Sequence, residues 1–443
     1  MQTQDRIRAE SPQHLKIRCA LTDVFVRDIF VTHVFFYDYK LDTSALARGL
    51  ARVLGDFAAF NARLQRDGLE HFIVCGDTGA SFSVRHSSRT LAETVAQMDG
   101  NGRVRAELVE PFDARGAWSN GAPVLALRVT HFSDGKSALG VSVHHSVGDW
   151  CSVSAMLKAW SQTVSGLDYA KPVVVEDRDA YLNSALPPTD RVSPNLRYAK
   201  LLELTKLGAY MLTKGRDKGR LSMYFDHDEL NRMRDALQAE CGRRLSTNDS
   251  VSAHVWSVIS ARDLKPRNRR LSIAVDFRRR AQLPSNVLGN MVTTVETNCV
   301  WGSPANRVAA DLRAEVDQFE HKYLNHRANL QYVQEHGGVA KVARFIPTAV
   351  DPFSGSLLVS NIRGTGIFDI DFGGGPATHY ISANTAPLPW LGVMHEGFGN
   401  QGLIVELDLP GAVSARILDK SGLELLHRYR DPQAGKAPAP WLC

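Results

Sequence analysis

A chain of 443 residues is too long for one ordinary hydrophobic core, so two domains are the default expectation. Its 44% hydrophobic and 22% charged residues are an ordinary globular composition. The net charge of +5 is spread along the chain without a concentrated basic face interleaved with aromatics, which argues against a nucleic-acid partner.

The six cysteines, Cys19, Cys75, Cys151, Cys241, Cys299 and Cys443, are far apart, with no CxxC and no zinc-type Cys/His spacing. They read as reduced thiols, and no metal is expected. The first residues carry no apolar h-region, and no stretch approaches the ~20 apolar residues of a membrane span. A soluble, cytoplasmic and monomeric protein is expected.

In chain order, VTHVFFYDY reads as a strand, followed by a helix from Thr43 with Leu46, Leu50, Val53 and Leu54 on one face. LEHFIVC and SFSVRH are short strands. PVLALRVTHF, the turn SDGK and SALGVSVHH form the clearest hairpin, with Asp-Gly in its turn. The second arm runs into HHSVGDW, after which Val153, Met156, Leu157 and Trp160 recur at helical spacing. From Tyr169 to Pro194 the chain is proline-bearing, polar and aperiodic, a crossover between two domains. This divides it into residues 1–168, a linker at 169–195, and residues 196–443.

Beyond the linker, LSMYFDH is a strand and DELNRMRDAL a helix burying Leu230, Met233 and Leu237. STNDSVSAHVWSVISARDL is a helix capped by Ser246, with Asp249 three residues on. RRLSIAVDFRRR reads as a strand through Arg280, and Ser303-Pro304 opens a helix carrying Val308, Leu312, Val316 and Phe319. Mixed strands and helices in two similar halves indicate an α/β or α+β protein.

His145 ends the most apolar strand, and Asp149 follows where the loop gives way to a helix. Such a junction holds a side chain rigidly while exposing it to a cleft. An imidazole with an ordinary pKa of about 6.5 suits a general base that takes a proton from a hydroxyl or amine. His-x-x-x-Asp alone is a weak signature, and no G-x-S-x-G elbow supplies a nucleophilic serine.

The context of that pair carries a family resemblance. HHSVGDW resembles the HxxxDG motif shared by BAHD acyltransferases, chloramphenicol acetyltransferases and peptide-synthetase condensation domains. SNIRGTGIFDIDFGGG resembles the second BAHD signature, DFGWG, here Asp371, Phe372, Gly373, Gly374 and Gly375. The intermediate blocks STNDSVSAHVWSVISAR and AVDFRRR…LPSNVLGN are similar as well, so the likeness spans essentially the whole chain. Two positions depart from the pattern: Trp150 stands where the family has glycine, and Gly374 where DFGWG has tryptophan.

The resemblance implies two chloramphenicol-acetyltransferase-like α/β domains with mixed sheets and a channel at their interface. It implies acyl transfer from acyl-CoA to a hydroxyl or amine of a small-molecule acceptor, with no tightly bound cofactor. His145 is then the base of a direct transfer, and Asp149 is mainly structural, pairing with an arginine of the Val275–Arg280 block. Strand alternation would put Asp276, Arg278 and Arg280 on one face, so Arg278 or Arg280 is the partner, and Arg278 is the one taken. His144 is a packed neighbour on the opposite face.

For the coenzyme A phosphates, Arg243 and Arg244 precede the helix start at Ser246 and Thr247, whose free N–H groups favour an anion. An ordinary exposed cap with solvated arginines is the other reading. Arg363 aligns with a position where some family members hold an acidic acceptor. Asp371, Phe372, Gly373 and Gly375 take the family's structural role. Two competing readings are a condensation-type enzyme fed by a carrier protein, and a non-catalytic ligand-binding relative. A lone Asp77-Thr78-Gly79-Ala80 recommends no aspartic-protease reading.

Overall fold

The computed structural model describes residues 3–76, 78–98, 102–186, 192–213, 215, 217–265, 267–383 and 388–433. Asp77 and Cys443 lie outside them, as does part of the linker stretch.

The first half is organised on a six-stranded mixed sheet, in the order Thr3–Ile7, Ala80–His86, Leu125–His131, Ser137–His144, Phe30–Tyr37 and His379–Ser382. The expected hairpin is its centre: Leu125–His131 and Ser137–His144 pair antiparallel and are buried at every position. Burial on both faces explains why these strands read as continuous apolar runs rather than alternating ones. One face is covered by the helices Thr43–Asp56 and Trp150–Val164. Leu46, Leu50, Val53 and Leu54 from the first helix meet Val153, Met156, Leu157 and Trp160 from the second in one core. The Trp160 indole N–H, buried there, donates to the Leu46 carbonyl at 2.9 Å.

The second sheet is also six-stranded and mixed, in the order Lys218–Phe225, Leu403–Pro410, Leu391–Glu396, Leu357–Asn361, Arg269–Asp276 and Val292–Cys299. Its three middle parallel strands are Arg269–Asp276, Leu357–Asn361 and Leu391–Glu396. The helices His227–Cys241, Thr247–Arg262 and Ala305–Asp317 cover it, burying Leu230, Met233, Leu237, Val308 and Leu312. The expected α/β architecture with two sheet-bearing units is therefore present.

Four expectations differ in detail. Arg269–Asp276 ends at Asp276, and the following residues form a turn in which Ala281 N–H bonds the Phe277 carbonyl at 2.8 Å. Strand alternation therefore does not govern Arg278 and Arg280. The Ser303-Pro304 helix stops at Asp317, and Phe319 opens a separate turn, Phe319–Lys322. The stretch read as an aperiodic linker contains a helix, Arg178–Ala185, capped by Asp177 onto the Ala180 N–H at 2.9 Å. Finally, His379–Ser382 leaves the second half and pairs with Phe30–Tyr37 at the edge of the first sheet. Ile362, Ile367, Phe368, Ile370 and Phe372 follow it into the first core. The crossing welds the two units where their sheets approach, and there the candidate site lies.

Candidate active site

The strand Ser137–His144 delivers its last side chain into a short loop, and Asp149 caps the helix Trp150–Val164 that leaves it. Between them stands His145, half-buried, its N–H on the Ile29 carbonyl at 2.9 Å. Its own carbonyl accepts from the Asn290 side-chain amide at 2.8 Å. The backbone is thus held on both sides, while the Nδ1 of its ring is buried without a partner among the described residues.

His144 is fully buried. Its Nε2 faces the Ala114 carbonyl at 3.0 Å and its Nδ1 accepts from Ser146 N–H at 3.2 Å. That pairing requires the neutral Nε2–H tautomer, and burial pulls its pKa down to about 4.

Asp149 has no free valence for His145. Its Oδ1 accepts from Ser152 N–H, Ser152 Oγ and Arg278 Nη2, each at 3.0 Å. Its Oδ2 accepts from Arg278 Nη1 at 2.8 Å and Met291 N–H at 3.0 Å. Burial pushes its pKa up, but Arg278 and the amides of Ser152 and Met291 outweigh burial and hold the carboxylate ionised below its usual range. Arg278 also reaches Asp276 at 2.7 Å, and its Nε and Nη2 donate to the carbonyls of Val287 and Gly289. The turn after Asp276 puts it there. Arg280 instead pairs with Glu320 on the surface.

A second buried ion pair holds the loop from the other side. Arg178 and Asp23, 1% and 0% exposed, lie 3.1 Å apart. Arg178 donates to the carbonyls of Ser146 at 3.3 Å and Val147 at 3.0 Å. Asp23 accepts from the Asn290 side chain at 2.8 Å, and Ser146 Oγ donates to the Asp23 carbonyl at 2.7 Å. Sequence reasoning missed Arg178 and Asp23. Asn290 lay in the LPSNVLGN block, the one signal that pointed here.

The wall beside His145 is aromatic and polar. Trp150 packs on His33 with ring centroids 4.1 Å apart, and its indole N–H donates to Thr365 Oγ1 at 2.8 Å. His33 Nδ1 is bonded to the Tyr380 hydroxyl, and the Tyr380 ring lies 4.7 Å from His395. His33 and Tyr380 come from the first sheet, whereas His395 and Glu396 end a strand of the second. Burial, with His395 and His145 nearby, lowers the His33 pKa to about 3, so this ring is neutral. Trp150, where the family has glycine, is part of that wall.

The remaining predicted residues sit apart from His145. Arg243, Arg244 and Ser246 are exposed around a shallow hollow that also includes Arg313 and Asp317. Asp249 N–H donates to Ser246 Oγ at 3.1 Å and Ser246 N–H donates to Asp249 Oδ2 at 2.9 Å, so the Asp249 carboxylate already supplies negative charge at this helix start. Thr247 is half-buried beside Asn248, whose side chain accepts from Asn361 at 2.9 Å. Arg363 is exposed in the turn that runs from Asn361 to Thr365. That turn therefore links the helix start to the Trp150 wall.

Asp371 folds its own motif, its Oδ1 accepting from Gly373 and Gly375 N–H at 2.7 and 2.9 Å. The Asp371 carbonyl meets Ser165 at the far end of the helix that Asp149 caps. At 1.5 Å per residue, the 15-residue helix separates the two motifs by about 22 Å. Phe372 packs on Trp160, centroids 4.9 Å apart. A Cβ at Gly374 would come 2.5 Å from the Tyr39 ring, so Tyr39 fills the space above the position where the family has tryptophan.

Among the described residues, no side chain near His145 is poised as a covalent nucleophile. The hydroxyls of Ser146, Ser152 and Ser154 are all bonded to protein acceptors. Burial, then Asp149 and Asp276, push the Cys151 thiol up. Among the described residues, no group of three or more His, Cys, Asp or Glu could hold a metal ion, and no helix is long and apolar enough to cross a membrane.

The sequence profile of the Transferase family matches residues 3–410. The chain is 28% identical over 376 residues to a hydroxycinnamoyltransferase of Narcissus pseudonarcissus, spanning 80% of this chain and 83% of that protein. It is 30% identical over 299 residues to agmatine hydroxycinnamoyltransferase 1 of Oryza sativa subsp. japonica, spanning 63% of each. The crystal structure of F. graminearum TRI101 complexed with coenzyme A and T-2 mycotoxin superposes with a TM-score of 0.75 at 16% identity. It covers 93% of this chain and 98% of that one, a shared fold.

Proposed function

The chain belongs to the Transferase family, the BAHD acyltransferases, and from that premise we propose that it transfers an acyl group from acyl-CoA to a hydroxyl or amine of a small molecule, with His145 as general base. The observation that carries this is the division of labour in the HHSVGDW loop. Asp149 is saturated by five donors and faces Arg278, so His145 keeps an imidazole that no carboxylate shares among the described residues.

The chemistry follows. His145 takes the proton of the acceptor as its oxygen or nitrogen attacks the thioester carbonyl. The tetrahedral intermediate collapses, the carbon–sulfur bond breaks, and the proton passes from the imidazolium to the departing thiolate. With the neighbouring hydroxyls bonded and the thiol of Cys151 suppressed, transfer is direct, without an acyl-enzyme. Negative charge on the intermediate needs a donor. Burial, then the nearby carboxylates, raise the Tyr380 pKa, so the phenol keeps its proton, and His33 Nδ1 is its only partner among the described residues. The phenol therefore donates to Nδ1, leaving His33 Nε2–H as a buried donor without a partner.

Coenzyme A as the donor is supported by the coenzyme-A-bound structural neighbour and by the hollow at Arg243 and Arg244. A thiol-release assay across a panel of acyl-CoAs and acceptors tests the reading. Turnover only with a carrier-protein-bound acyl group would transfer it to the condensation type, and no turnover with any donor would overturn it.

A further inference from the structure

The second unit carries a helix that its own core does not explain. Leu201–Leu212, sequence LLELTKLGAYML, buries none of its side chains. Leu201, Leu202 and Leu212 are 63%, 64% and 66% exposed. Single exposed leucines are ordinary, but these three lie together. At about 100° per residue, Leu201, Leu212, Thr205, Ala209 and Leu202 fall in one outward stripe about 100° wide. The partly covered Leu204, Leu207 and Met211 occupy the opposite side, towards the protein. A helix apolar on both sides is ordinarily covered on both, and 12 residues make a marginal helix in water without that cover.

The charges around the stripe say what would cover it. Glu203, the one acid of the helix, is already paired with Arg197 at 3.3 Å and accepts from the Lys200 N–H at 2.7 Å. Lys206, beside the stripe, and Lys200, at the helix start, are exposed and make no ion pair among the described residues. The border of the apolar face is therefore cationic. Towards the other end, Tyr210 meets Phe353 edge-on with ring centroids 5.4 Å apart, and Phe353 is 43% exposed. The Arg267 guanidinium holds the same residue, donating to the Phe353 carbonyl at 2.6 Å. Exposed leucines, a bordering aromatic ring and uncompensated lysines are the composition with which an interfacial helix meets acyl chains and anionic headgroups. At 12 residues the helix is about 18 Å long, too short to cross a bilayer but suited to lying in its surface.

We propose that Leu201–Leu212 is a membrane-docking helix, which seats the protein on an anionic lipid surface with Leu201, Leu202 and Leu212 at the acyl boundary and Lys200 and Lys206 among the headgroups. The proposal stands on this helix and is independent of the acyl-transfer reading.

Sedimentation of the full chain with lipid vesicles tests it. The wild type should bind phosphatidylcholine vesicles that contain about one third phosphatidylglycerol, bind pure phosphatidylcholine on the order of tenfold more weakly, and be released from the anionic vesicles by salt. Leu201→Ser/Leu202→Ser/Leu212→Ser should lose on the order of tenfold or more in affinity, with the melting temperature and thiol release in solution unchanged. Lys200→Ala/Lys206→Ala keeps the apolar stripe and should weaken binding to the anionic vesicles by roughly fivefold per lysine, leaving binding to the neutral ones as it was. A wild type that stays in the supernatant with both vesicle types overturns the proposal, and so does equal binding to the two. A folded triple-serine variant, or a double-alanine variant, that binds the anionic vesicles like the wild type overturns it as well. If light scattering finds a wild-type dimer that the serine substitutions dissociate, and no vesicle binding, the stripe belongs to a second copy of the chain and the proposal fails.

Discussion

Arg278 meets Asp149 with Nη1 on Oδ2 at 2.8 Å and Nη2 on Oδ1 at 3.0 Å, both side chains 4% exposed. The pair joins the turn after Asp276 in the second unit to the helix start of the first. Removing the carboxylate strands a guanidinium whose other partner, Asp276, is 31% exposed. Asp149→Ala should therefore lose roughly 3–5 kcal/mol of stability, read by urea unfolding. An unfolding midpoint equal to that of the wild type would refute the structural role.

His145 contributes little to the frame, because its bonds to Ile29 and Asn290 run through its backbone. His145→Ala should melt with the wild type and lose on the order of 10²–10⁴-fold in transfer rate. Activity within a few-fold of the wild type would end the general-base assignment. His33→Phe is expected to lower kcat as well, since it removes a buried donor of that wall that has no partner among the described residues.

Gly374 and Tyr39 occupy one space. Gly374→Ala should cost about 1–3 kcal/mol through overpacking, with kcat nearly unchanged because the motif is remote from His145. In a Tyr39→Ala background the same substitution should cost markedly less. Strictly additive losses in the double-mutant cycle would show that the two do not share that volume.

The segment around His145 was legible because its apolar run, Asp-Gly turn and helical spacing are all local. Strand alternation reached Arg278 by the wrong route, since the strand ends at Asp276 and a turn aims the guanidinium. Leu357–Asn361 and Leu391–Glu396 carry little signal, being short parallel strands at the middle of a sheet. The crossing of His379–Ser382 depends on a partner more than three hundred residues away, which no local pattern encodes. Arg178 and Asp23 escaped for a related reason. Arg178, charged and in a polar stretch, looks solvated until its partner Asp23 is known.

Acid should loosen this protein well above the carboxylate range. Burial lowers the pKa of His33 to about 3 and of His144 and His254 to about 4. Each is neutral when folded but titrates near 6.5 when unfolded, so the unfolded chain binds more protons below that pH. Their stabilisation is complete above 6.5 and declines as pH falls toward 4. Asp149, depressed when folded, adds a loss only below about 3.8. Between pH 7 and 5.5 each histidine should remove about 1 kcal/mol, and His254→Asn should flatten the dependence. Unfolding free energies that stay constant over that interval would show these rings are not buried neutral.

The last expectation concerns the coenzyme A phosphates. Arg243 and Arg244 are exposed and make no ion pair among the described residues, and Arg313 stands in the same hollow. The helix start beside them already carries Asp249, which occupies the Ser246 N–H and reduces what the helix dipole can offer an anion. The free guanidinium groups, rather than the helix end, would hold the phosphates. They lie away from His145 and should bind substrate and transition state alike. Such uniform binding appears in KM and not in kcat. Arg243→Ala/Arg244→Ala should thus raise KM for acyl-CoA, leave kcat within a few-fold, and weaken the dependence of KM on salt. Acyl-pantetheine donors lack the nucleotide phosphates and should be indifferent to the change. An unchanged KM for acyl-CoA would place the phosphates elsewhere, and an equal rise for acyl-pantetheine would mean the substitutions act on the fold instead.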